Sequence, residues 1–204
     1  MENQRRPLVL ASTSRHRKAL LARLGLPFEM QSPDIDEAPL PGETPAATAS
    51  RLAEAKARAV AARYATGLVI GSDQVADAGG VAIGKPADHR AAVEQLVTLS
   101  GRAVVFHTAI VVVDAATGRC RSRLVDATTR FRVLTAASIE NYLQRERPYD
   151  CAGSVKSEGL GIALVEAIES DDPSALIGLP LIALVDLLQA EGIDVLGAHA
   201  ACTR

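Results

Sequence analysis

Charge of one sign is nearly absent in excess: 22 lysines and arginines stand against 24 aspartates and glutamates over 204 residues, a formal net of −2. A chain so balanced has no basic footprint for following a phosphodiester backbone, which argues against DNA or RNA as a partner. Long apolar runs are missing as well. None approaches the ~18 residues of a membrane helix, and the four apolar residues before Ser12 are too few for a signal-peptide core. The expectation is a soluble, cytoplasmic protein. Cysteine is scarce, with Cys120, Cys151 and Cys202 widely spaced and no Cys-x-x-Cys pair, and His16, His89, His107 and His199 are equally scattered. That pattern fits reduced thiols and points away from a disulfide frame or a His/Cys zinc cluster. Neither a Walker loop nor a Gly-x-Gly-x-x-Gly follows the first apolar segment, which argues against a P-loop NTPase or a dinucleotide oxidoreductase.

What is present is 48% hydrophobic sequence, enough for one substantial α/β core. Residues 8–11 read as a buried strand, and 14–24 as a helix with Ala19, Leu20 and Leu24 toward the core and Gly25 closing it. A short strand is expected at 28–32, followed by a loop over 33–45 that holds four prolines and Gly42. An Ala-rich helix over 44–64 leads to a strand at 68–72 and a Gly79-Gly80 turn, and 87–100 is helical. Residues 103–114 and 121–133 read as a hairpin turning at Ala116-Thr-Gly118, 135–145 as a helix capped by Thr135, and 179–191 as the last amphipathic helix. No internal repeat or low-complexity linker divides the chain. The reading is one α/β unit over 1–204 with mixed strand directions, its ends (1–7 and 197–204) frayed.

Chemistry gathers where apolar strands run into polar groups. Ser12, Thr13 and Ser14 lie where a strand turns into a helix, whose first N–H groups lack intrahelical partners, and Arg15, Arg17 and Lys18 add cationic donors. This is a candidate cradle for a triphosphate, or simply a Ser-capped helix with solvated basic residues. Asp73 comes after the strand at 68–72, where α/β sheets commonly place their sites; it is suited to a divalent cation or to a proton from attacking water, or to forming a turn. Lys56 has apolar neighbours at helical spacing, Leu52, Ala53, Ala59 and Val60, so it must either snorkel out or find an anion. Glu37 heads the Pro-rich loop, and Lys85 is held extended by Pro86. Singly both are ordinary surface charges. Together, two carboxylates and two lysines suit hydrolysis of a phosphoanhydride. Lys156, Ser157 and Glu158 sit in what reads as a flexible Gly-rich loop, long enough to reach a base edge or to remain a solvated turn.

The ordered segments Leu10-Ala-Ser-Thr-Ser-Arg-His-Arg17, Asp34-Ile-Asp-Glu37, Arg51-Leu-Ala-Glu-Ala-Lys56, Ile70-Gly-Ser-Asp-Gln74, Gly84-Lys-Pro86, Cys151-Ala-Gly-Ser-Val-Lys-Ser-Glu-Gly159 and Asp172-Pro-Ser-Ala-Leu-Ile-Gly-Leu-Pro180 resemble the Maf family of nucleotide pyrophosphatases. The resemblance implies a mixed α/β fold with a deep central cleft, a homodimer, and a divalent cation, Mg2+ or Mn2+, assisting release of pyrophosphate from a nucleoside triphosphate. Carried over by position, Asp73 would accept the proton of the attacking water, with Glu37, Lys56 and Lys85 completing the metal and phosphate environment. Glu37 and Asp73 would be the metal ligands, and Ser12 and Arg17 would meet the triphosphate.

Within the family, substrate choice is associated with positions that fall here on His16, Gln74 and Glu158. Gln74 and Glu158 look like the branch that hydrolyses 7-methyl-GTP; the dTTP/UTP branch typically has Thr and Gln there. A methylated guanine is cationic, and Glu158 suits its N1 and N2 donors as well as its charge. His16 stands where a large aromatic would stack on the base, and its protonated form would repel a cationic ring, so selectivity is expected to deteriorate toward acidic pH. The competing expectations are the same reaction on dTTP and UTP, and a non-enzymatic nucleotide-binding regulator of cell division.

Overall fold

The computed structural model describes residues 6–197. In chain order its elements are β1 (Leu8–Ala11), α1 (Arg15–Ala22), β2 (Glu29–Gln31), α2 (Pro45–Ala61), β3 (Leu68–Asp77), β4 (Ala82–Ile83), α3 (His89–Leu99), β5 (Ala103–Asp114), β6 (Cys120–Phe131), α4 (Ala136–Glu146), β7 (Val165–Glu169) and α5 (Leu181–Ala190). The ends expected to fray, 1–7 and 197–204, lie outside the described residues except for 6, 7 and 197. Arg6 and Pro7 are held in place, Arg6 by Asp114 and Pro7 through its carbonyl, which accepts from Leu68 N at 2.8 Å.

All seven strands form one mixed sheet in the order β2-β1-β3-β5-β6-β7, with β4 on the far half of β3. β1 runs parallel to β2 and β3, while β3, β5, β6 and β7 are antiparallel neighbours. The register creates the cleft. β1 pairs with β3 from Leu8 opposite Leu68 as far as Leu10 opposite Ile70, and β4 joins that edge of β3 only from Ala76 onward. Between those points β3 has β5 on one side and no strand on the other. Sites in α/β sheets lie in such openings beyond strand ends.

Three apolar layers clamp the sheet. Ala49, Ala53, Ala57 and Val60 of α2 lie on Val9, Val69 and Val111. On the opposite face, Leu20 and Leu21 of α1 with Leu184 and Leu187 of α5 cover Leu10, Ile70 and Ile110, while Leu96 of α3 and Leu143 of α4 cover Phe106 and Phe131. The alanine stripe lets α2 ride close: a Cβ on Gly71 would fall 2.2 Å from Ala53 O. Only glycine tolerates that approach.

Four expectations are corrected. Ala19 is exposed and Leu21 takes the core position, because α1 begins at Arg15 and the 3.6-residue stripe falls on 20, 21 and 24. β3 continues to Asp77, so Asp73 lies inside a strand opposite Ala109 and not in a turn after it. β7 was not expected: with Glu166, Ile168 and Glu169 exposed, it is a short, charged edge strand lacking a buried run. The segment around Glu158 is anchored. Gly153 and Ser154 are buried, Lys156 N donates to Tyr142 Oη at 3.0 Å, and Glu146 accepts from Leu160 N and Lys156 Nζ.

Candidate active site

The turn from β1 into α1 forms one wall. Ser14 caps α1, its Oγ accepting from Arg17 N at 3.3 Å, while Ser12 Oγ accepts from Ser14 N at 3.1 Å. The positive end of the α1 dipole therefore faces the opening beside β3. Arg17 Nε donates to Gly178 O at 2.9 Å, which fixes the guanidinium. Burial lowers the Arg17 pKa, with Asp73 and Glu37 pulling the other way. The group stays a cation, as arginine does in proteins.

The floor is the central stretch of β3. Asp73 and Lys56 are 7% and 4% exposed, and Lys56 Nζ donates to Asp73 Oδ1 at 2.6 Å. Lys56 has thus found its anion. It reaches a second one, Glu37 Oε1, at 3.0 Å, although that carboxylate is half exposed on the Pro-rich loop. No hydrogen bond reaches Asp73 Oδ2 among the described residues, which leaves an oxygen for water or a cation. Glu37 and Asp73 offer hard carboxylate oxygens only, the donor type that Mg2+ and Mn2+ prefer. The residues present therefore fit such an ion. Lys85 is exposed and has no ion-pair partner among the described residues.

The far wall comes from the segment leading into α5. Pro180 at the start of that helix has no capping side chain, so buried Asp172 substitutes: its Oδ2 accepts from Ile182 N at 2.7 Å and Ala183 N at 3.2 Å. The segment so fixed turns its carbonyls toward β3. Gln74 Nε2 donates to Ala175 O at 2.9 Å and Leu176 O at 3.0 Å, with Thr108 Oγ1 also at 3.0 Å. Carbonyls only accept, so the amide orientation is fixed and the Gln74 oxygen is the atom left for a ligand. Glu158 Oε1 lies 2.7 Å from His16 Nδ1, and His16 Nε2 is 3.4 Å from Asp150 Oδ2. An imidazolium at His16 would be flanked by two carboxylates, a neutralisation invisible when His16 is considered alone.

Two adjoining cavities of about 540 and 360 Å3 share Ser14, His16, Arg17, Glu37, Lys56, Lys85 and Asp150. Ser12 lines the first, while Asp73, Gln74 and Glu158 line the second. The nine residues given catalytic or substrate-binding roles by the family resemblance therefore all border one cleft of a size suited to a small molecule, whereas Lys18, Lys156 and Ser157 do not line it. Sequence reading missed what supports them: Asp150, Tyr142, and Glu146, whose carboxylate stands at the unfavourable C-terminal end of α4. That misplacement against the dipole was the one available sign. It also missed a convergence, since His16, Asp150 and Cys151 each bring one donor atom within 4.8 Å of the others.

A mixed sheet split at one end, with a buried Lys–Asp pair beneath a helix N-terminus and the exposed Lys85 beside it, defines a cleft-bearing α/β protein fitted to a polyanion. The chain belongs to the Maf family: the model described as Maf-like protein matches residues 7–191. It is 58% identical to a 7-methyl-GTP pyrophosphatase of Thiobacillus denitrificans over 189 residues, covering 93% of this chain and 94% of that one. A protein of the same name from Methylobacillus flagellatus is 55% identical over 93% of this chain and 99% of its own length. Another from a Polaromonas species is 58% identical over 92% and 86%.

Proposed function

We propose that this chain is a nucleoside triphosphate pyrophosphatase that hydrolyses 7-methyl-GTP to 7-methyl-GMP and pyrophosphate. The observation that carries the reading is the convergence of Asp73, Lys56, Glu37, Lys85 and Arg17 in one cleft together with Gln74 and Glu158. Relatives at 55–58% identity are named for that activity. The triphosphate lies over the first turn of α1, against its N–H groups, Ser12, Arg17 and Lys85. Asp73, fixed through Oδ1 by Lys56, takes a proton from the attacking water through Oδ2. The water oxygen bonds to the α-phosphorus as the bond to the bridging oxygen of the β-phosphate breaks, and pyrophosphate leaves. Lys85 and Arg17 neutralise the charge that develops. Glu37 and Asp73 would hold Mg2+ or Mn2+, which when bound supplies further neutralisation of the phosphate oxygens. At the base end, Glu158 accepts from guanine N1–H and N2–H and favours the methylated ring's positive charge, while the Gln74 oxygen accepts a further donor. A homodimer and a cytoplasmic location belong to the same reading, and sedimentation and cell fractionation test them.

Pyrophosphate release is to be measured over 7-methyl-GTP, GTP, dTTP and UTP with Mg2+ or Mn2+. The expected order puts 7-methyl-GTP first. Asp73→Asn is expected to lower kcat by about 10²–10⁴ with KM little changed. Faster turnover of dTTP or UTP would reassign the base, and binding without release from any triphosphate would favour the regulator instead.

A further inference from the structure

His16, Asp150 and Cys151 form a donor set that the reaction above does not use. We propose that they bind a thiolate- and imidazole-preferring divalent metal, Zn2+, at the mouth of the cleft, and that the bound metal blocks entry of the nucleotide base. One donor atom of each residue lies within 4.8 Å of the other two. Two contacts are closer: His16 Nε2 to Asp150 Oδ2 at 3.4 Å, and Cys151 Sγ to Asp150 Oδ1 at 3.6 Å. Ligands on a tetrahedral Zn2+ sit about 3.3 Å apart for two light donors and about 3.6 Å apart when one is sulfur. Those two edges already match, and the His16–Cys151 edge, within 4.8 Å, has to close by at most about 1.2 Å to complete a tetrahedral face.

The second observation is the histidine's other nitrogen. His16 Nδ1 lies 2.7 Å from Glu158 Oε1 and Nε2 lies 3.4 Å from Asp150 Oδ2, so a metal that replaces the proton on Nε2 leaves the remaining ring proton on Nδ1, facing Glu158. A carboxylate holding the second nitrogen of a histidine is the arrangement that orients metal-bound imidazoles. Arg15 competes for Asp150 Oδ2 at 3.3 Å, but its side chain is 74% exposed and free to swing into solvent. Glu37 and Asp73 offer only oxygen, so the two ions are separated by chemistry: the hard cation goes to the floor, the soft one to the mouth. Three protein donors leave a fourth position, and Asp150, His16 and Cys151 all line the cavity that holds Gln74 and Glu158.

The binding half stands independently; the blocking half rests on the reading that this cleft takes a nucleotide base. Titrating the metal-free protein with Co2+ tests the first. Expected are tetrahedral visible bands and a thiolate-to-cobalt absorption that saturate at one metal per chain. The thiolate absorption should vanish in Cys151→Ser, persist in Cys120→Ser and Cys202→Ser, and need at least about tenfold more metal in Asp150→Asn and His16→Phe. Absence of that absorption from the wild type, or its survival in Cys151→Ser, would overturn the site whatever the enzyme's activity. For the second half, Zn2+ added at fixed Mg2+ should inhibit pyrophosphate release, with each variant compared with itself without zinc and Cys151→Ser at least about tenfold less sensitive. Bound zinc without inhibition, or equal inhibition of Cys151→Ser, would overturn the blocking role and leave the proposed hydrolysis untouched.

Discussion

Lys56 governs the charge balance of the cleft floor. The residue is 4% exposed, and its ammonium lies between Asp73 at 2.6 Å and Glu37 at 3.0 Å. The two contacts are unequal in weight, because Asp73 is buried while the Glu37 side chain is 53% exposed and well screened. Removing the ammonium with Lys56→Met leaves Asp73 as a buried charge without its cation, a loss of about 3–5 kcal/mol in typical cases. Urea unfolding is expected to read a loss of that order. Lys56→Met combined with Asp73→Asn should recover more than half of it, since the larger cost lies in the orphaned charge and not in the lost attraction. A double variant as unstable as the single would mean that Lys56 acts mainly by packing its methylenes. The demand for a partner was legible in the sequence from the four apolar neighbours of Lys56. Which anion would meet it was not, because Asp73 is 17 residues away and looked like a turn former.

At the scale of elements, two carboxylates hold the mobile-looking parts of the cleft. Glu43 ties the Pro-rich loop to α2: its oxygens accept from Arg51 Nε and Nη2 at 2.7 Å each, Thr48 Oγ1 at 2.9 Å and Leu40 N at 3.2 Å. The Arg51 hydrogen bonds hold its carboxyl down to about 2 against an ordinary 4.5. A depressed pKa means that the clasp stabilises fully above pH 4.5 and is lost as pH falls toward 2. Thermal melts of wild type and Glu43→Gln should therefore differ at neutral pH and converge across that window; a constant gap would deny the clasp. Glu146 performs the same service for Glu158. It grips Lys156 and Leu160 on either side, and a Cβ on Gly159 would fall 2.6 Å from Glu146 Oε2. Glu146→Ala is expected to raise KM for 7-methyl-GTP about tenfold with kcat changed less than twofold, as removal of base positioning away from the phosphates would. An equal loss for GTP and 7-methyl-GTP would instead mean general loosening. Both clasps escaped sequence reading because their partners lie on other elements. The continuation of β3 to Asp77 escaped it for a related reason: Asp73 and Gln74 interrupt the apolar run that marks a strand, and functional positions are where such patterns break.

Across the whole molecule, the cleft and the strongest ionic cluster lie at opposite ends of the sheet. The cleft opens beyond Ala11 and around Asp73, whereas the cluster forms where Leu8, Leu68 and Asp114 begin or end their strands. There Glu191, 5% exposed at the end of α5, accepts from Arg119 Nε at 3.1 Å and Arg121 Nε at 2.7 Å. Arg6 joins Asp114 at 3.0 Å and also meets the Glu191 carbonyl. The entry to β1, the β5–β6 hairpin and the last helix are thus tied by side chains whose sequence separations, up to 185 residues, conceal them from any local pattern. What was legible at this scale was the alternation of strands and helices and the amphipathic stripes, which require one sheet with layers on both faces. The closing of its blunt end by arginines and carboxylates became visible only in three dimensions. Hydrogen bonding to Arg119, then Arg121, keeps the Glu191 carboxyl below its ordinary range, so the tie strengthens folding at neutral pH and weakens as acid protonates the carboxylate. Because no cluster residue borders the cleft, Glu191→Gln is expected to lower the melting temperature by about 2–6 °C. At temperatures well below melting, kcat/KM for the triphosphate should stay within about twofold of wild type. A larger fall in kcat/KM without a change in melting would mean that the two ends of the sheet are coupled and that the blunt end helps set the cleft.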